Sequence, residues 1–171
     1  VIPNAFPSNS HVMMIGIGEL AASGDRVIEI KTMALGSCVS VILLDPKARV
    51  GGMVHVALPD SNLQVSRRVF KPGYFADTGI PALLAEMKKC GSSGVLGDMY
   101  IKLAGGAKVI KAEGALDIGH RNLEAIKQIM AAHRVRPVSH DVGGCISRTV
   151  SLEIKSGTVR LSCPGREDWF I

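Results

Sequence analysis

The chain has 171 residues, 47% of them hydrophobic but only 4% aromatic, with a formal net charge of +5 and a pI near 9.2. That length and composition predict a single domain with an aliphatic core, and exclude a membrane helix, since no apolar run nears the roughly 18 residues one needs. The basic residues are scattered, with Arg67-Arg68 and Lys88-Lys89 the only adjacent pairs, and no RNP, helix-turn-helix or zinc pattern accompanies them, which argues against nucleic-acid binding.

Residues 1–11 are polar and proline-containing and read as a loose arm; 12–171 read as one domain. No cationic region followed by an apolar one opens the chain, so a secretory signal is not expected and a cytoplasmic location is. Four cysteines, Cys38, Cys90, Cys145 and Cys163, match no paired zinc spacing and are expected as free thiols. Strands are predicted at Val12–Ile17, Val27–Met33, Val39–Leu44 and Val50–Leu58. The last two form a hairpin around Asp45-Pro46-Lys47-Ala48.

An ordered loop over Gln64–Asp77 precedes a helix capped by Asp77 or Thr78, with Pro81 in its first turn, Gly91 at its end, and Ile80, Leu83, Leu84 and Met87 as its apolar stripe. Cys90 extends that stripe as an inert thiol. A strand at Met99–Leu103 enters Gly105-Gly106. A second helix runs from Arg121 to His133 with Leu123, Ile126, Ile129 and Met130 inward. Strands close the chain at Val135–Val142, Arg148–Ile154 and Val159–Cys163. Without regular βαβ alternation, the fold class expected is α+β with layered β-sheets flanked by helices.

The chemistry centres on Cys38, in Leu35-Gly36-Ser37-Cys38-Val39, and His55, in Gly51-Gly52-Met53-Val54-His55-Val56. Alone, a cysteine between valines is a small buried hydrophobe, and a strand histidine is a satisfied polar group. The hairpin changes that balance. If Asp45 faces Ala48, Cys38 faces His55, with Cβ atoms about 4.5–5.5 Å apart. A thiol beside an imidazole is a nucleophile with its base, expected as a thiolate–imidazolium pair. Backbone amides around Gly36 and Ser37 can face a developing oxyanion. Thr32 is a candidate to orient the imidazole or the substrate, against the plainer reading of a surface strand threonine.

Other features carry less. Gly105-Gly106 and Gly143-Gly144 lack a phosphate-loop context and mark turns or close backbone packing. Ser37 is not in a G-x-S-x-G elbow. His11, His120, His133 and His140 have no metal-ligand spacing, and Cys145 and Cys163 read as structural strand residues.

Taken together, Thr32-Met33-Ala34-Leu35-Gly36-Ser37-Cys38-Val39, Asp45-Pro46, Gly51-Gly52-Met53-Val54-His55 and Leu58-Pro59 resemble the CheD family of chemoreceptor glutamine deamidases. Tyr74, Asp77, Lys102 with Gly105-Gly106-Ala107, Ile118-Gly119-His120-Arg121-Asn122, and Asp141-Val142-Gly143-Gly144 with Arg148 continue the match. Ala34 stands where the family often has glycine, Ala104 where an aromatic is usual, and Ser147 where glycine is common. The resemblance implies a fold similar to deamidating-toxin catalytic domains, and a Cys–His–Thr site on Cys38, His55 and Thr32 with no metal or other cofactor. It implies glutamine deamidation on methyl-accepting chemotaxis receptors, association with chemoreceptor arrays, and a CheC-type phosphatase as a further partner. The alternative is an adaptor that docks on receptors and phosphatase with little chemistry.

Overall fold

The computed structural model describes residues 11–63, 71–108 and 117–171. In chain order the strands are β1 (His11–Met14), β2 (Leu20–Ser23), β3 (Ile28–Leu35), β4 (Val39–Asp45), β5 (Val50–Val56), β6 (Tyr100–Gly105), β7 (Ser139–Val142), β8 (Arg148–Glu153), β9 (Val159–Ser162) and β10 (Trp169–Phe170). The helices are α1 (Ala76–Lys89) and α2 (Ile118–Ala132). One sheet has the order β1-β3-β8-β9-β10 and the other β2-β5-β4-β6-β7. The fold is mixed α+β, with two sheets stacked and both helices on the far face of the second.

Strand β4 explains the layering. Val39, Val41 and Leu43 point into a core shared with Ile80, Leu83 and Met87 of α1 and Leu123, Ile126 and Met130 of α2. Ile42, between them, points the other way, into a core with Ile30, Leu35, Val150, Leu152 and Leu161 of the first sheet. A strand covered on both faces has no solvent side to show, which is why 39–44 is apolar at every position but the buried Ser40.

The hairpin differs from the expected one. Asp45 pairs with Val50, not Ala48, so four residues make the turn. The Asp45 carboxylate accepts hydrogen bonds from the N–H groups of Lys47 and Ala48, both at 2.9 Å, and Arg49 takes a left-handed conformation with φ 57°. An aspartate that caps its own turn stabilises the longer loop over the two-residue one. The register therefore moves by two positions. Ser40, not Cys38, lies opposite His55. A shift of two preserves the face, so Cys38 and His55 stay on the same side of the sheet as a diagonal pair.

Other expectations shift by smaller amounts. Helix α1 begins at Ala76, which places Pro81 inside it rather than in its first turn. Helix α2 starts three residues before the expected Arg121, capped by Asp117, whose carboxylate accepts from the His120 N–H at 2.9 Å. The strand expected from Val135 begins only at Ser139. Strands β2 and β10 have no counterpart in the sequence expectation. Cys145 is exposed and Cys163 half-buried, both outside strands, so neither is the core residue expected. Residues 1–10 of the expected arm and 64–70 of the expected loop lie outside the described residues, and His11 belongs to β1. Among the described residues no helix is long and apolar enough to cross a membrane.

Candidate active site

Two of the candidate residues, Thr32 and His55, meet where β3 and β5 face each other across the sandwich. Thr32, on β3, is fully buried, which removes the surface-threonine reading. His55, on β5, is 1% exposed. The Thr32 Oγ1 lies 2.7 Å from His55 Nδ1 and 2.9 Å from the Ile15 carbonyl oxygen. A hydroxyl has one proton to give. The Ile15 carbonyl can only accept, so Thr32 donates to it and must accept from His55. The imidazole proton is thereby held on Nδ1, and Nε2 carries the free lone pair. That Nε2 is buried and has no hydrogen-bond partner among the described residues.

Cys38 stands at the entrance to β4, half-buried, and packs against the inter-sheet core that also meets His55's face of the sheet. No hydrogen bond joins its sulfur to His55. Its backbone is held tightly. The Cys38 carbonyl accepts from the Gly106 N–H at 2.7 Å, and the Gly36 carbonyl accepts from Ala107 N–H at 2.8 Å. Gly105, with φ 107°, lies so close that a Cβ there would be 2.3 Å from the Cys38 carbonyl oxygen. Close backbone approach is thus what Gly105-Gly106 supplies.

The loop before Cys38 arises from a bulge. Pairing of β3 with β8 slips between Thr32 and Leu35, and Ala34 takes a left-handed conformation with φ 58°. Gly36 then donates its N–H to the Ala34 carbonyl at 2.9 Å. That amide is engaged within the turn, which leaves the N–H groups of Ser37 and Cys38 as the oxyanion candidates in this loop.

The ionisation states are the reverse of the expected ion pair. Burial pushes the Cys38 thiol up, opposed only by its own backbone N–H. Burial pushes His55 down to about 4, with the Glu19 carboxylate pulling weakly the other way. Both shifts favour the neutral forms. Glu19 itself is held ionised by the Gly16 N–H and by Lys71, 3.1 Å away.

Asn122, on α2, was visible in sequence only as part of a motif. It is fully buried, and its Nδ2 donates to the carbonyls of Ser37 (3.1 Å) and Ala57 (2.9 Å). An asparagine on the apolar stripe of a helix, four residues before Ile126, is the signal that marks it. A surface cavity of about 650 Å³ lined by Pro59, Asp77, His120, Arg121 and Glu124 includes none of Cys38, His55 or Thr32. Among the described residues no group of three or more His, Cys, Asp or Glu side chains is placed to hold a metal ion.

Fold and site together define a layered α+β protein with a buried histidine, hydrogen-bonded to a threonine, on the same sheet face as a cysteine. Residues 57–163 match the family described as CheD chemotactic sensory transduction. The chain is 43% identical to the probable chemoreceptor glutamine deamidase CheD of Syntrophotalea carbinolica, over 93% of this chain and 98% of that protein. It is 40% identical to the corresponding probable deamidase of Symbiobacterium thermophilum, over 93% and 96%. It is also 40% identical to the chemoreceptor glutamine deamidase CheD of Thermotoga maritima, over 84% and 87%. The chain belongs to the CheD family.

Proposed function

We propose that this chain deamidates glutamine side chains of chemotaxis receptors, with Cys38 as nucleophile, His55 as base and Thr32 as the group that sets the base. The observation that carries the reading is the Thr32–His55 bond, which fixes the tautomer and leaves a buried, unpartnered Nε2 on the face where Cys38 stands. The names of the relatives support the substrate class.

The neutral resting pair selects a general-base route. Rotation of the Cys38 side chain brings the thiol to Nε2, a tightening common when substrate enters a site. Nε2 takes the thiol proton as sulfur attacks the carboxamide carbon. The N–H groups of Cys38 and Ser37 receive the oxyanion. The imidazolium gives its proton to the departing nitrogen, and the C–N bond breaks to release ammonia and leave a thioester. His55 then deprotonates water, which attacks the thioester and yields glutamate and free thiol. The new carboxylate adds negative charge to the receptor helix and offers a site for methylation. A CheC-type phosphatase is the further partner this reading carries, at receptor arrays.

Mass spectrometry on a receptor cytoplasmic fragment tests it. Wild type converts amide to acid at particular glutamines. Cys38→Ala lowers the rate by about 10³-fold or more, since nucleophile and base act as a unit. Thr32→Val, which removes the acceptor for Nδ1–H, lowers it by about 10- to 100-fold, less than losing a charged orienting group. Unchanged conversion by Cys38→Ala overturns the mechanism.

A further inference from the structure

We propose that Asn122 is a positioning residue for the oxyanion site, holding the Ser37–Cys38 peptide so that the Cys38 N–H faces the reacting carbonyl oxygen. The proposal rests on the deamidase reading of Cys38. Asn122 lies on α2, in the helical layer, and touches neither the sulfur nor the imidazole through any hydrogen bond. Both protons of its Nδ2 are spent on main-chain carbonyls, those of Ser37 and Ala57. The orientation of the amide is dictated by these partners, because two carbonyl oxygens demand a donor. Ser37 lies just before β4 and Ala57 just after β5, so one side chain ties the segment that leads through Cys38 into β4 to the end of the strand that bears His55.

The geometry of the peptide unit turns that tie into a catalytic consequence. The chain has no cis peptide bonds among its described residues. In a planar trans peptide the C=O and the following N–H point in opposite directions. With the Ser37 carbonyl drawn toward α2, the Cys38 N–H is turned away from α2. Among the described residues that N–H has no carbonyl or carboxylate acceptor. It is an aimed and uncommitted donor beside the nucleophile. Gly106 fixes the same residue from the other side by donating to the Cys38 carbonyl, so the two peptide planes flanking Cys38 are both pinned.

A second observation separates this from ordinary packing. Asn122 Oδ1 is buried and has no hydrogen-bond partner among the described residues. Buried acceptors are normally paired, and leaving one unpaired is unfavourable. An aliphatic residue would fill the same position on the helix stripe without that cost. What an aliphatic residue cannot do is hold two carbonyls.

Two reactions of Cys38 separate the roles. Alkylation by iodoacetamide displaces iodide and forms no oxyanion, whereas deamidation passes through one. Wild type is assayed first for deamidation of the receptor fragment; no turnover there overturns the deamidase reading itself. In Asn122→Ala, kcat is expected to fall by about 100-fold, with KM within about threefold, as for the loss of one oxyanion donor. Alkylation at Cys38, followed by peptide mass spectrometry, is expected to stay within about threefold. Where the alanine variant does not fold, Asn122→Ser, which keeps one donor, is read in the same way, with about a tenfold loss in kcat expected. A folded variant with undiminished kcat overturns the proposal, as does a parallel fall in both reactions. Failure of both variants to fold reduces Asn122 to a structural residue and overturns it too.

Discussion

Lowering the pH should destabilise this protein through one histidine. His55 sits at about 4 instead of its ordinary 6.5 because burial opposes the charged ring. In the unfolded chain the same ring takes up a proton near 6.5. Above that pH both states hold a neutral ring, and His55 adds no pH dependence. Between 6.5 and about 4 the unfolded state binds a proton that the folded state refuses, so stability falls as pH falls. Below about 4 both states are protonated and the slope ends. The gap is worth about 3 kcal/mol. Urea unfolding of wild type and His55→Gln at intervals from pH 8 to pH 3.5 measures it. Carboxylates common to both proteins cancel in the difference, and the difference should change by about 3 kcal/mol across the window. Parallel curves would refute the reasoning. They would mean that the folded protein protonates His55 as the unfolded chain does, whereas a difference of opposite sign would mark a resting ion pair with Cys38 in place of the general-base route.

Gly105→Ala would place a methyl group against the Cys38 carbonyl oxygen in a left-handed backbone. A loss of about 3 kcal/mol or more in urea unfolding and loss of deamidation are expected, whereas Gly143→Ala, which has open space around it, should lose only about 1–2 kcal/mol. Ala34→Gly should go the other way. Ala34 is exposed with φ 58°, and relief of that conformation, less the entropy glycine adds to the unfolded chain, should raise the urea midpoint by the equivalent of about 0.5 kcal/mol.

The strands were legible where periodicity or burial marked them. Residues 39–43 are buried and Leu44 half-buried, and of the expected stripe Ile80, Leu83 and Met87 are buried while Leu84 is half-buried. The hairpin register was not legible, because it depends on a side chain: the Asp45 carboxylate caps a four-residue turn, which spacing alone does not reveal. Strand β2 was missed because Leu20–Ser23 is short and half-buried on an edge, and β10 because it has only two residues. Cys38, His55 and Thr32 could be named as candidates from the sequence, and Thr32 and His55 do meet, yet the directions in which Cys38 and His55 shift could not be read there. Those follow from how deeply the two sheets enclose them. The contacts of Asn122, named in sequence only within a motif, were not legible for a similar reason, since its partners are main-chain carbonyls brought near only by the docking of α2.

The raised thiol of Cys38 has a consequence beyond turnover. Peroxides and disulfides are attacked by thiolate far more readily than by thiol. A sulfur kept protonated by its surroundings is chemically quiet toward both. By the general-base route above it acquires nucleophilic character only while an amide occupies the site and the imidazole draws off its proton. A resting population of this protein would therefore tolerate oxidative stress better than a cysteine enzyme that stores its nucleophile as an ion pair.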